Sequence, residues 1–354
     1  MVLTGMTHHE KFMERCLWLA SAGAGAVAPN PMVGCVIVHR GRIIGEGFHR
    51  KFGGPHAEVH AVNAVSHREL LRESTLYVSL EPCAHHGKTP PCADMIVASG
   101  IPRVVIGIRD PFPQVDGRGV EKLQKAGLEV ITGVLARECR EQNRRFLTFH
   151  EKERPYVTLK WAQTTDGFMD RERRPGEEGF PLWISGTMAR ALVHRCRSLE
   201  AAILVGRVTA ERDDPALTTR GWSGANPLRM VIDPRGVLPR HLHLFDHTAP
   251  TVVATESPGE EKENLTFLKI TPGQGVPRQI LAYLREMGKT SLIVEGGRKT
   301  LQAFIDEGMW DEAHIYTGPV RFGAGLPAPE LRGTTTASEW FGDTLLTVVR
   351  PGFQ

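Results

Sequence analysis

Gly53-Gly54-Pro55-His56-Ala57-Glu58-Val59-His60-Ala61 and, further on, Glu81-Pro82-Cys83-Ala84-His85-His86-Gly87-Lys88-Thr89-Pro90-Pro91-Cys92 decide how the first half of this chain is read. One imidazole (His56) and two thiolates (Cys83 and Cys92) supply three protein ligands to a zinc ion. They leave a fourth position for water, as a catalytic zinc requires. Residues two apart do not share a helix face. His56 and Glu58 can therefore meet one ion only at the end of a helix, and Pro55 suits a helix start. A helix N-terminus also favours anions, so thiolates are stabilised there. The alternative is a closed structural zinc site with His85 or His86 as fourth ligand, but such a site has no need of Glu58.

His-x-Glu followed by Pro-Cys and a later Cys is the signature of zinc nucleobase deaminases. In that chemistry a zinc-activated water attacks a ring carbon that carries an amine. Glu58 would take the water proton and hand it to the ring nitrogen and the departing ammonia. The usual signature has two residues between its cysteines; here eight lie between Cys83 and Cys92. That insertion, with Gly53–Ala61 and with APNPMVGCVIV at residues 28–38, resembles the deaminase domain of the bifunctional riboflavin-biosynthesis deaminase/reductase family, over about residues 1–145. The resemblance implies that His56, Cys83 and Cys92 hold zinc and that Glu58 carries the proton. It implies that Asn30 hydrogen-bonds the pyrimidine, and that His49 and Lys88 contact substrate, Lys88 near the ribose phosphate. His8, His9, His60 and His67 match no role and are expected at the surface or in helix packing.

Working outward, the first 150 residues alternate between helix and strand. Apolar spacing predicts a helix through Phe12, Cys16, Leu19 and Ala20. Strands are expected over residues 33–38, 42–47, 74–80, 103–108 and 129–132, with His39-Arg40-Gly41 as a hairpin turn. Helices are expected over 57–65, 93–99 and 119–126, and a helix followed by a connector in the charged stretch 137–154. Alternation of this kind indicates an α/β layer architecture. A boundary is expected near residue 150, giving domains of 1–150 and 151–354, and a new strand begins at Pro155.

The second half alternates again, with strands expected over 202–205, 228–232, 251–254, 291–294 and 314–317 and helices over 186–197, 276–287 and 300–306. Ile293-Val294-Glu295-Gly296-Gly297 ends a strand in two glycines before a helix, an arrangement suited to an anion. With KWAQTTDG (160–167), WISG (183–186) and the stretch 202–220, it follows the order of the same family's reductase domain. That domain is similar in fold to dihydrofolate reductase and uses NADPH. The resemblance implies a dinucleotide site lined by Ala162, Trp183, Thr209 and Asp213, with Gly297, Arg298, Lys299 and Thr300 at the phosphates. It places Arg197, Leu217, Arg220 and Glu295 at the substrate. The two arginines suit a phosphate monoester, because a guanidinium offers fixed bidentate donors. Lys160 is the candidate for polarising the ribose. Thr164-Thr165 and Pro181 depart from the family pattern, and residues 171–179 form an unusually charged loop.

The expected fold is therefore α/β throughout: an N-terminal cytidine-deaminase-like α/β/α domain and a C-terminal dihydrofolate-reductase-like α/β domain. The family match implies two steps of riboflavin synthesis. The first is deamination of 2,5-diamino-6-(5-phosphoribosylamino)pyrimidin-4-one. The second is NADPH-dependent reduction of its ribosyl group to ribityl. Zn2+ and NADPH are the expected cofactors. The partner is a small phosphoribosylaminopyrimidine, not nucleic acid or membrane, and a homo-oligomer is expected. With 43 Lys and Arg against 40 Asp and Glu, the net charge of +3 does not suit a coat for nucleic acid. No run reaches the roughly 18 apolar residues of a membrane span, and the first residues lack the apolar core of a signal peptide. Six cysteines in such a chain point to metal binding or burial rather than a disulfide framework, and a cytoplasmic location is expected. Two rival readings share the zinc argument: a tRNA or DNA base deaminase with a binding module, and a non-catalytic zinc scaffold.

Overall fold

A computed structural model describes residues 6–84, 90–112, 116–172 and 183–352. His85, His86, Lys88, Pro181 and most of the charged 171–179 loop lie outside the described residues. The chain divides into two compact units, Met1–Glu153 and Arg154–Gln354.

The first unit runs α1 (His8–Ser21), β1 (Gly34–His39), β2 (Arg42–Phe48), α2 (Ala57–Asn63), β3 (Ser74–Leu80), α3 (Cys92–Ala98), β4 (Arg103–Ile108), α4 (Arg118–Lys125), β5 (Glu129–Thr132), α5 (Ala136–Gln142) and α6 (Arg144–Glu151). Its sheet has the order β2-β1-β3-β4-β5. β1 is antiparallel to both neighbours, and β3, β4 and β5 are parallel. The period-2 alternation of β1 sets the layers. Cys35 and Ile37 pack with Ala57, Ala61, Ile96 and Leu123 on one face. Val36 and Val38 pack with Phe12, Met13, Cys16 and Phe146 on the other. Helices thus cover both faces, and each fully buried aliphatic side chain contributes about 1.5–3 kcal/mol. A Cβ at Gly34 would lie 2.0 Å from the Cys16 carbonyl oxygen, so α1 crosses β1 backbone against backbone. Thr7 and Glu10 close a reciprocal capping box at the start of α1.

The stretch 137–154, expected as a helix and then a connector, holds two helices, broken at Asn143. The Asn143 side chain accepts from the Met32 N–H at 2.8 Å and donates to the Met32 carbonyl at 2.9 Å. That long-range clamp holds the break.

The second unit comprises β6 (Tyr156–Gln163), β7 (Phe168–Arg171), α7 (Thr187–Leu199), β8 (Ala202–Gly206), α8 (Arg207–Asp213), β9 (Leu228–Ile232), β10 (Thr251–Thr255), β11 (Leu265–Lys269), α9 (Val276–Glu286), β12 (Ser291–Gly296), α10 (Arg298–Asp306), β13 (Glu312–Thr317), β14 (Gly325–Pro327), β15 (Thr334–Phe341) and β16 (Thr344–Arg350). Its nine-stranded sheet has the order β11-β10-β9-β8-β12-β6-β13-β16-β15. It is parallel from β11 to β13, and β16 runs antiparallel to both its neighbours. Leu204, Met230, Val252 and Leu292 pack on one face against Ile280, Leu281, Leu301 and Phe304. Ile203, Val205, Val231 and Ile293 pack on the other against Ala210, Leu217 and Leu244. β8, β12 and β6 lie side by side at the centre, so their carboxyl ends gather Gly206, Gly296 and Gln163 at one edge. Such an edge is where open α/β sheets bind ligands. Among the described residues no helix is long and apolar enough to cross a membrane.

Candidate active site

In the first unit, the turn into α2 and the turn into α3 meet. His56 is the residue before α2 and Glu58 lies in its first turn. Cys83 follows β3, and Cys92 is the first residue of α3. The ligand atoms of His56, Cys83 and Cys92 all lie within 4.8 Å of one another. His56 Nδ1 is 3.6 Å from Cys83 Sγ and 3.4 Å from Cys92 Sγ. A tetrahedral zinc with its ordinary bond lengths would set such a nitrogen and sulfur about 3.5 Å apart, so the donor triangle fits the ion. The Cys92 N–H donates to Cys83 Sγ at 3.3 Å, which fixes that sulfur.

The electrostatics of the triangle point the same way. Cys83 is drawn well below the usual thiol range, first by the hydrogen bond from Cys92, whose own thiol is pushed up by the same pairing. The Glu58 side chain is buried beside them, at 3% exposure. Burial pushes its carboxyl up to about 7, and the His56 charge opposes this only in part. Two sulfurs and a carboxylate packed out of water are balanced by a dication.

Asn30 and His49 stand beside this triangle. Asn30 Nδ2 donates to His49 Nε2 at 3.2 Å, while His49 Nδ1 donates to the Pro55 carbonyl at 3.1 Å. Burial lowers the His49 pKa, which keeps the ring neutral and able to accept. The His49 and His56 rings meet edge to face, 5.5 Å apart. The structure thus brings together Asn30, His49, His56, Glu58, Cys83 and Cys92. Lys88 lies outside the described residues. Sequence reasoning missed Glu81. Its buried carboxylate accepts from the backbone N–H groups of Asp110, Gly117, Gly119 and Val120 at 3.2, 3.1, 2.9 and 3.0 Å. It ties Asp110 and the first turn of α4 to the Pro82-Cys83 step. An acidic residue directly before Pro-Cys was the available signal.

In the second unit, Lys160 does not face solvent. Its ammonium lies 3.7 Å from Glu295 Oε2, and its side chain is 17% exposed. Burial lowers its pKa, and Glu295 opposes that. Arg197 donates to both oxygens of Glu295 at 2.8 and 2.7 Å, and through Nη1 to the Thr218 carbonyl at 3.2 Å. Burial would raise the Glu295 carboxyl, but Arg197 and Lys160 outweigh it and hold it at about 2. Leu217 is buried next to this group in sequence, whereas Arg220 is exposed. Tyr316, paired in register with Ala162, was also missed. Its ring lies 5.7 Å from the Lys160 ammonium.

The glycine turns at the ends of β8 and β12 are packed closely by two threonines. A Cβ at Gly296 would lie 2.9 Å from Thr209 Cγ2, and one at Gly206 would lie 2.4 Å from Thr300 Oγ1. Gly297 has φ of 71° and leads into α10, where Arg298, Lys299 and Thr300 form the first turn. Thr209, Gly297 and Thr300 therefore stand together at the start of α10, where helix N–H groups suit an anion. Asp213 ends α8 at the surface. Trp183 is 66% exposed, with Arg190 stacked 4.5 Å from its ring, so it is not a core aromatic.

The family model of the cytidine and deoxycytidylate deaminase zinc-binding region matches residues 6–108. The model of the RibD C-terminal domain matches residues 155–345. The riboflavin biosynthesis protein RibD of Aquifex aeolicus is 41% identical over 328 residues, covering 91% of this chain and 90% of that one. The RibD of Escherichia coli is 36% identical over 333 residues, covering 89% of each. Among solved structures, the diaminohydroxyphosphoribosylaminopyrimidine deaminase/5-amino-6-(5-phosphoribosylamino)uracil reductase of Thermotoga maritima aligns with a TM-score of 0.87. It is 39% identical, and 97% of this chain and 99% of that one are covered.

Proposed function

This chain belongs to the RibD family of riboflavin biosynthesis proteins, and we propose that its first unit deaminates 2,5-diamino-6-(5-phosphoribosylamino)pyrimidin-4-one and its second unit reduces the product. The observation that carries the reading is the His56–Cys83–Cys92 donor triangle with a buried carboxylate, Glu58, at its side. A structural zinc site has no use for that carboxylate. It also distinguishes the chain from a non-catalytic scaffold.

His56, Cys83 and Cys92 hold the zinc, which supplies Lewis acidity that makes water nucleophilic near neutral pH. Glu58 receives the proton from the attacking water and delivers it towards the ring nitrogen and the leaving amine. The net change is one water consumed and one ammonia released. Its raised pKa suits a group that must both take and give a proton. Asn30, oriented by its bond to His49, presents an amide to the pyrimidine. Lys88 completes the substrate contacts near the phosphate.

In the second unit NADPH supplies the hydride, and the protein orients the reactants. The Gly297 turn with Arg298, Lys299 and Thr300 receives the phosphates, with Ala162, Trp183, Thr209 and Asp213 along the dinucleotide. Lys160, paired with Glu295, polarises the ribose in its ring-opened imine form. With NADPH bound, that orientation would direct hydride to the anomeric carbon, and the adjacent nitrogen would take its proton from water. Leu217, Arg220 and Arg197 line the substrate side. The small net charge of +3 supports a small-molecule substrate over nucleic acid, and a cytoplasmic location accords with such a substrate.

Supplying the diamino compound with and without NADPH and identifying products by mass tests both assignments. Loss of one amine in exchange for oxygen is expected without NADPH, and a further gain of two hydrogens with it. An unchanged diamino compound would overturn the first assignment, and an unreduced deaminated product would overturn the second.

A further inference from the structure

Arg229, in β9, is fully buried, and each of its five N–H donors has a partner. Nε donates to Thr251 Oγ1 at 2.9 Å, and Nη1 donates to the carbonyls of Ala216 at 3.4 Å and His243 at 3.0 Å. Nη2 donates to Asp246 Oδ1 at 3.0 Å and to the Ala249 carbonyl at 2.8 Å. A buried guanidinium satisfied this completely is a rigid five-point fork. Two of its prongs reach the two sides of one junction: the loop after α8, through Ala216, and the turn at residues 243–245. That junction has a second closure on its outer side. Asp214 accepts from both the backbone N–H and the ring Nδ1 of His243, each at 2.7 Å.

The loop so held is strained. Asp214 and Leu217, neither of them glycine, have φ of 36° and 52°, a region L-residues adopt only when their surroundings impose it. The next residue, Thr218, gives its carbonyl to Arg197. Arg229 from inside the sheet and Arg197 from the candidate site therefore grip the same five-residue loop at adjacent points.

We infer that Arg229, with the Asp214–His243 clasp, is a positioning element for the reductase site: it holds residues 214–218 in the strained form that sets the Thr218 carbonyl on Arg197, the partner of Glu295. This rests on the proposed assignment of reduction to the second unit.

The test uses the full chain with Arg229→Lys, which keeps the charge but loses the fork, and His243→Ala, which opens only the outer clasp. Melting curves, NADPH fluorescence titration, NADPH oxidation with deaminated substrate, and ammonia release are measured for each. Arg229→Lys is expected to lose about tenfold or more in kcat/KM for reduction, mainly through KM for the substrate, the scale of a charge-assisted hydrogen bond. His243→Ala is expected to lose about threefold in the same sense. NADPH affinity and ammonia release should stay at the parent values. Unchanged reduction kinetics in a folded Arg229→Lys protein would overturn the inference. So would a loss of NADPH binding in step with the loss of substrate binding, which marks a purely structural role. If Arg229→Lys does not fold, His243→Ala decides, and parental kinetics there overturn it. A parent protein that oxidises no NADPH would instead sink the assignment of the unit.

Discussion

Arg197 and Glu295 are joined by two parallel hydrogen bonds of 2.8 and 2.7 Å, and both side chains are nearly buried. The guanidinium that sequence resemblance places at a substrate phosphate thus has its bidentate face occupied by the protein's own carboxylate. Arg220 is exposed. The two arginines should therefore fail in different ways. Arg197→Ala leaves a buried carboxylate without its main partner and should destabilise the second unit by about 3–5 kcal/mol. Arg220→Ala should leave stability within about 0.5 kcal/mol and raise KM for the reductase substrate. Thermal melts beside NADPH-oxidation kinetics separate the two, and an Arg197→Ala protein as stable as the parent would show that the pair is not the keystone described.

Glu58→Gln keeps the shape of the side chain and removes its ability to carry a proton. Deamination should fall by at least about 100-fold, the scale of general acid–base catalysis, while zinc content stays at one per chain. Metal analysis and ammonia release on the same preparation check this. A variant that remains near full activity would remove Glu58 from the reaction.

Much of this was readable from residues alone, and the parts that were not share a cause. The hairpin at Arg40-Gly41 was legible because a turn with both residues at positive φ, 48° and 77°, joins two apolar runs. The zinc ligands were legible because a donor set must be written in residue types. The break at Asn143 was not, since its clamp on Met32 lies 111 positions away. The partnership of Arg197 with Glu295 spans 98 positions and is equally invisible to local pattern. The strand Thr334–Phe341 lacks any apolar alternation because almost all of it is exposed. Its pairing with β16, not burial, makes it a strand.

Glu295 should also leave a mark on acid stability. Its folded value of about 2 lies below the ordinary 4.5: burial raises it, and the charges of Arg197 and Lys160 more than reverse that. A depressed carboxylate contributes stability that is fully present above its unfolded pKa and is lost as pH falls through the folded one. The stability advantage of the parent over Glu295→Gln should therefore be constant above about pH 5 and shrink from about pH 4.5 towards pH 2, by on the order of 3 kcal/mol in all. Urea unfolding of both proteins at stepped pH measures it. A difference that stays flat over that window would mean that the carboxylate is not held by its cations.

Zinc should stabilise one unit and not the other. The donor triangle ties the turn before α2 to the start of α3, so losing a ligand loosens two connections within the first unit. Metal binding is folding free energy where the site does not exist in the unfolded chain. Cys83→Ser should be the more damaging of the two cysteine replacements. Its sulfur both faces the ion and accepts the Cys92 N–H, and the shorter, harder hydroxyl oxygen serves neither role well. Either Cys83→Ser or Cys92→Ser should lower zinc content and the melting temperature of the first unit, and treatment of the parent protein with a chelator should reproduce that shift. The second unit, with its own apolar clusters and the Gly297 turn, should still titrate with NADPH at the parental affinity. Calorimetry resolving two transitions, with NADPH fluorescence on the same samples, reads both outcomes. Joint loss of zinc and NADPH binding in a soluble, folded variant would contradict the assignment of the two cofactors to separate units.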